Sequence, residues 1–159
     1  MIILILAIKF VHIIAAAAMF GGWLTVAVFM RLADRSGNTS VVALTAQFAV
    51  SVERIVMIAA MALQPIGGFA LAGAVGLSPF DESWIVASLV LYGVVLAAWL
   101  AVFRIEVRIR DLTRQAALDV VPLPDRYHNL FRLYNIIVWP ALAGMVLLFL
   151  LMVWQPRLW

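Results

Sequence analysis

Apolar residues along this chain fill whole runs instead of marking one helical face. Residues 2–30, 55–75, 84–103 and 133–154 are almost entirely apolar. About 20 residues at about 1.5 Å each cross a hydrocarbon core of about 30 Å, so every run is long enough to span. Lipid offers the backbone no hydrogen bonds, and such runs therefore predict helices. After Phe103 the pattern changes: Ile105, Ile109, Leu112 and Ala116 recur at helical spacing with arginines between them. The third helix is thus predicted to continue as an amphipathic stem until Pro122 and Pro124 stop it. Gly37 and Asn38 mark a turn, with Thr39 or Ser40 expected as the N-cap of the second helix. Asp81, Glu82 and Ser83 suit the start of the third, and Pro140 predicts a kink in the fourth. The expected organisation is a single domain, residues 1–159, with helices over about 2–30, 41–75, 84–117 and 133–154.

Composition sharpens this reading. The chain is 67% hydrophobic and 12% charged, against about 45 to 50% and about 25% in soluble domains, so a lipid bilayer must solvate the outside. The absence of cysteine excludes disulfide frameworks, thiolate metal sites and cysteine nucleophiles. Nine of the eleven basic residues fall after the first and third runs, and only Lys9 and Arg157 lie elsewhere. The arginines therefore read as topology signals and not as a nucleic-acid footprint, and they place both termini outside. The first run is expected to be retained: its apolar part is about twice a signal-peptide core, and Lys9 lies inside it. The fold class is all-α, a four-transmembrane-helix bundle.

Polar groups within such spans are costly, and each invites a functional reading. His12 lies about ten residues, or about 15 Å, from the outer end of the first helix. It reads either as an interhelical hydrogen-bonding residue, toward Gln64 or the Met61 carbonyl freed by Pro65, or as an axial ligand to haem iron or another metal. Gly21 and Gly22 read as a close-packing pair, and Gly22 also as space for a flat porphyrin. Met57 and Met61, one turn apart, have the spacing of a soft Cu(I) pair but read better as packing. Glu53 and Arg54 read as a local ion pair at the membrane surface, and Asn135 as the start of the fourth span. His128, in the segment Asp125-Arg126-Tyr127-His128, lies nearly a membrane thickness from His12 and does not share a haem with it. No triad, phosphate loop or zinc motif is present.

The run Lys9-Phe10-Val11-His12-Ile13-Ile14 followed by Gly21-Gly22 resembles the first helix of HemJ-type protoporphyrinogen oxidases. Glu53-Arg54 leading to Pro65 and Gly67-Gly68, Trp84 opening the third span, and Phe131-Arg132-Leu133-Tyr134-Asn135 with Pro156 beyond the fourth are similar to the same family. The wider resemblance takes in CopD-like copper-resistance membrane domains. Where HemJ proteins carry a lysine in the third helix and a glutamate after the asparagine of the fourth, this chain has Ser88 and Ile136. It looks closer to a related group of bacterial integral membrane proteins of unassigned function.

The resemblance implies haem b held by His12 as metal ligand, with Gly22, Gln64 and Asn135 near the cofactor and Arg54 or Arg132 pairing with its propionates. It implies a multi-pass protein of the bacterial inner membrane, a homo-oligomer, with quinone or porphyrin as redox partners. The expected function is a haem-linked electron-transfer role. The alternatives are protoporphyrinogen oxidation and non-enzymatic, CopD-like metal handling.

Overall fold

The computed structural model describes residues 2–158. The chain forms four long helical rods: α1 (Ile2–Arg35), a second rod built from α2 (Thr39–Val52) and α3 (Ile58–Ala74), α4 (Ser83–Leu118) and α5 (Asp125–Trp154). All four are long and apolar enough to cross a membrane, and no strand occurs among the described residues. Each rod packs on the next, α5 on α4, α4 on the second rod, and the second rod on α1, while α1 and α5 touch only lightly. One end of the bundle gathers both chain ends and the 75–82 connection, and the other gathers the arginine-rich connections.

Each rod buries one stripe. On the second rod it runs Val42, Ala46, Ala49, Glu53, Met57, Ala60, Gln64, and on α4 it runs Trp99, Val102, Glu106, Ile109, Thr113, Ala116. The stem of α4 therefore turns Thr113 inward and leaves Leu112 only half-buried, a correction to the apolar face read from the sequence. The Thr113 hydroxyl is satisfied by the Ile109 carbonyl at 2.8 Å, which makes its burial inexpensive.

Residues Glu53–Met57 form one turn of π-helix, in which the Ile58 amide reaches the Glu53 carbonyl five residues back. Such a bulge inserts into an otherwise α-helical rod and re-aims the side chains on it. Here both its first and last residues, Glu53 and Met57, point into the core.

Several helix ends differ from expectation. The cap of α2 is Asn38, whose side-chain oxygen accepts from the Ser40 and Val41 amides at 2.9 and 3.2 Å. Thr39 instead reaches across to the Val121 carbonyl at 3.3 Å. The first helix continues to Arg35 and the last begins at Asp125 instead of 133, because both have polar turns that still bury Ala33 and Tyr127. Ser83 clasps the tail: its hydroxyl accepts from the Leu158 amide at 2.8 Å. The α4 terminus closes with the Val121 amide on the Ala116 carbonyl, and Val120 takes the left-handed conformation (φ 54°) that glycine usually fills. Helix α5 runs through Pro140 without interruption.

Candidate functional site

Two polar layers cross the bundle. The first lies at half depth, where His12, Gln64 and Tyr92 are each nine or ten residues from the end of their rods, about 15 Å. Gln64, 6% exposed, donates from Nε2 to the His12 backbone carbonyl at 3.1 Å and so pins α1 to α3. The carbonyl of Met61, left without an amide donor by Pro65, is taken by the Tyr92 hydroxyl at 2.6 Å. His12 therefore makes neither of the side-chain bonds the sequence suggested. Its ring lies against the glycine pair of α3, so close that a Cβ on Gly67 would stand 2.8 Å from Nδ1 and one on Gly68 3.6 Å from Cε1. Nδ1 is buried without a hydrogen-bond partner.

The close approach of helices is thus at Gly67, not at Gly21 or Gly22. A Cβ on Gly21 would meet nothing within 4 Å, and one on Gly22 would rest 3.6 Å from the Met57 sulfur. Met57 and Met61 are both core residues, with the Met61 sulfur 3.8 Å from the Tyr92 hydroxyl.

The second layer was not legible as a site in the sequence. Trp23 of α1, Glu53 of the π turn, Glu106 of α4 and Tyr134 of α5 are all fully buried, and Trp99 of α4 is 5% exposed. The four fully buried residues lie 20 to 23 positions from the chain-end side of their rods, about 30 to 35 Å along, at the level where a bilayer core would give way to the arginine-rich end. The Trp99 indole donates to Glu53 Oε2. Glu106 sits beside the Tyr134 hydroxyl and within electrostatic reach of Glu53. The other Glu53 oxygen, both Glu106 oxygens, the Tyr134 hydroxyl and Trp23 Nε1 are buried with no hydrogen-bond partner. The sequence expectation of a Glu53–Arg54 surface pair fails because neighbouring helical residues point about 100° apart, which sends Glu53 inward and leaves Arg54 exposed.

A third feature lies between α1 and α5 at the arginine-rich end. It is a groove of about 420 Å³ lined by Arg31, Asp34, Arg35, Phe131, Arg132, Asn135 and Ile136. Below it Tyr127 donates to Asp34 at 2.8 Å. Burial, with the Asp34 carboxylate accepting its hydrogen bond, pushes the Tyr127 phenol well up, so it remains a neutral donor. Asn135 is turned along its own helix, donating to the Phe131 carbonyl at 2.7 Å and accepting from Trp139 at 3.1 Å.

Of the residues read as a haem site, the fold brings Gln64 to His12, while the others lie apart from it. Gly22 lies ten residues along α1 from His12, facing Met57. Arg54 is exposed on the rod that carries Gln64, while Arg132 and Asn135 belong to the α1–α5 groove. Ser88 is buried and donates to the Trp84 carbonyl at 2.8 Å, and Ile136 is 61% exposed. No group of three or more His, Cys, Asp or Glu positioned to hold a metal ion occurs among the described residues. His128 is exposed and stands edge-on to Tyr127, 5.2 Å between ring centres.

No curated protein and no solved structure matches the chain. One family model does, over residues 6–156, which takes in all four rods and both polar layers. The chain belongs to the family described as predicted integral membrane protein, DUF2269.

Proposed function

We propose that this integral membrane protein binds haem b through His12 and serves a redox role by transferring electrons. The observation that carries the reading is the His12 ring at half depth, with no hydrogen bond to either nitrogen from the described residues and a buried Nδ1 over Gly67. A histidine in a membrane interior is expensive to keep without a partner, so it invites a ligand. Haem, when bound, would supply reversible one-electron chemistry in an apolar setting.

The chain's own residues do the positioning. Gln64 fixes the backbone of residue 12, and the glycine pair of α3 leaves room for its ring. Phe10, Ile13 and Ile66, all more than half exposed around this level, offer the apolar surface that a porphyrin or a second copy of the chain would cover. Arg54 is the basic group on the same rod and would pair with the propionates. A quinone is the acceptor chemistry such a membrane-embedded centre would meet.

The test is the spectrum of protein purified from haem-replete bacterial cells. The expected result is a Soret band and a reduced b-type α band, lost in His12→Ala and kept in His128→Ala. Colourless wild-type protein, or a full spectrum in His12→Ala, would overturn the assignment. Ser88 and Ile136 supply no proton acceptor, and the chain is therefore expected not to rescue a bacterium lacking protoporphyrinogen oxidase. Robust rescue would make oxidation of the porphyrinogen the better account.

A further inference from the structure

We propose that Glu53 and Glu106 form a buried acidic site that holds a proton at the arginine-rich end of the membrane span. This inference does not depend on haem.

Charge balance makes the first argument. Both side chains are fully buried, and two ionised carboxylates in an apolar layer repel each other and forgo hydration at a cost of several kcal/mol each. Compensation by a basic side chain is absent from every packed element. Arg54 on the second rod, Arg104 and Arg108 on α4, Arg132 on α5 and Arg31 on α1 are exposed. Arg110 is engaged by Asp111 at 2.7 Å. Asp34 is occupied by Tyr127, and Tyr134 is the titratable group that α5 turns to the pair. The neutralising cation must therefore come from outside the side chains.

Hydrogen-bond accounting makes the second, and it selects the proton over a metal ion. Trp99 already donates to Glu53, and at the same level Trp23 Nε1 and the Tyr134 hydroxyl are fully buried without partners. Donors of this kind compete with a metal cation but suit carboxyl groups that carry a proton. Three carboxylate oxygens have no donor, and protonation removes the charge that makes such oxygens costly to bury.

Local geometry makes the third. Glu53 opens the π turn, and a regular α-helix would present the following residues at different angles. Four rods contribute to the layer, so loading or emptying the site acts on the packing of the whole bundle. Buried carboxylates at such positions are the groups membrane proteins use to take up and release protons.

The wild-type chain in lipid vesicles carries the test. Infrared spectroscopy at neutral pH should show a protonated-carboxyl C=O band that moves when glutamate is labelled with ¹³C and again in D₂O. The band should vanish in the double variant Glu53→Gln, Glu106→Gln, whose helical circular dichroism should match wild type. Dicyclohexylcarbodiimide, an apolar reagent that modifies protonated carboxyl groups, should label a peptide holding Glu53 or Glu106 and spare the exposed Asp111 and Asp119. Absence of the band in the wild type at neutral pH would overturn the proposal. So would a band seen only after sodium is removed, since the site would then hold a metal cation. A band that survives in the double variant would place the proton elsewhere.

Discussion

Pro65 removes one amide from the second rod, and Tyr92 repairs the loss from another helix. The Met61 carbonyl has no donor of its own, and the bond from Tyr92 at 2.6 Å satisfies it inside the bundle. Removing that hydroxyl in Tyr92→Phe is expected to cost about 1 to 3 kcal/mol, the range for an unsatisfied buried acceptor. Pro65→Ala restores an amide to residue 65, so the same change should cost measurably less in that background. A double-mutant cycle on thermal unfolding in detergent checks this, and equal costs in both backgrounds would show that the tyrosine does not serve the proline. The same scale explains what the sequence hid. Glu53 sits beside Arg54, and Glu106 between Arg104 and Arg108, so each reads as part of a solvated charge run. Yet Glu53 is in phase with Ala46, Ala49, Ala60 and Gln64, and Glu106 with Trp99, Val102 and Ile109. Phase along the helix was the available signal, and the adjacent opposite charge masked it. His12 and Gln64, by contrast, stood out because they lie in long apolar runs with no neighbouring carboxylate to pair with.

Among the glycines, the closest approach pairs α1 with α3. Gly67→Ala places a methyl group 2.8 Å from His12 Nδ1 and 3.3 Å from its Cβ, so either the ring or the helix must move. Overpacking of this kind is expected to lower stability by about 1 to 3 kcal/mol. Gly21→Ala meets nothing within 4 Å and should be neutral or gain up to about 1 kcal/mol from helix propensity. The two variants, compared by thermal unfolding in one detergent, should shift the midpoint in different senses; similar shifts would mean that the glycine pair is not the contact point. The rods themselves were readable from apolar length, since a span cannot be much shorter than the bilayer. The π turn was not, because no residue type in Glu53–Met57 demands it and its cause is the packing of the core side chains it carries. Nor was the early start of α5 at Asp125, where polar residues outnumber apolar ones and only Tyr127 and Phe131 are buried.

For the whole molecule, the rods measure 30 to 36 residues, about 45 to 54 Å, against a hydrocarbon core of about 30 Å. The excess collects at the arginine-rich end, where α4 continues past Phe103 as a stem. Basic residues favour the cytoplasmic side, so a reporter active only outside the cell should work when inserted at 76–80 and stay silent at 119–123. The reverse pattern would invert the orientation and with it the side from which a proton reaches Glu106. The order in which the rods leave the ribosome adds a consequence for biogenesis. Helix α4 is complete before any of α5 exists, so Glu106 arrives without the tyrosine that α5 later brings to it. A nascent chain at that stage carries a polar defect on an otherwise greasy rod, and a truncated product carries it permanently. Arrival of the last helix completes the layer in which Glu106 and Tyr134 are both fully buried, so a chain cut short before α5 is expected to lack the cover that the complete bundle gives its acidic layer.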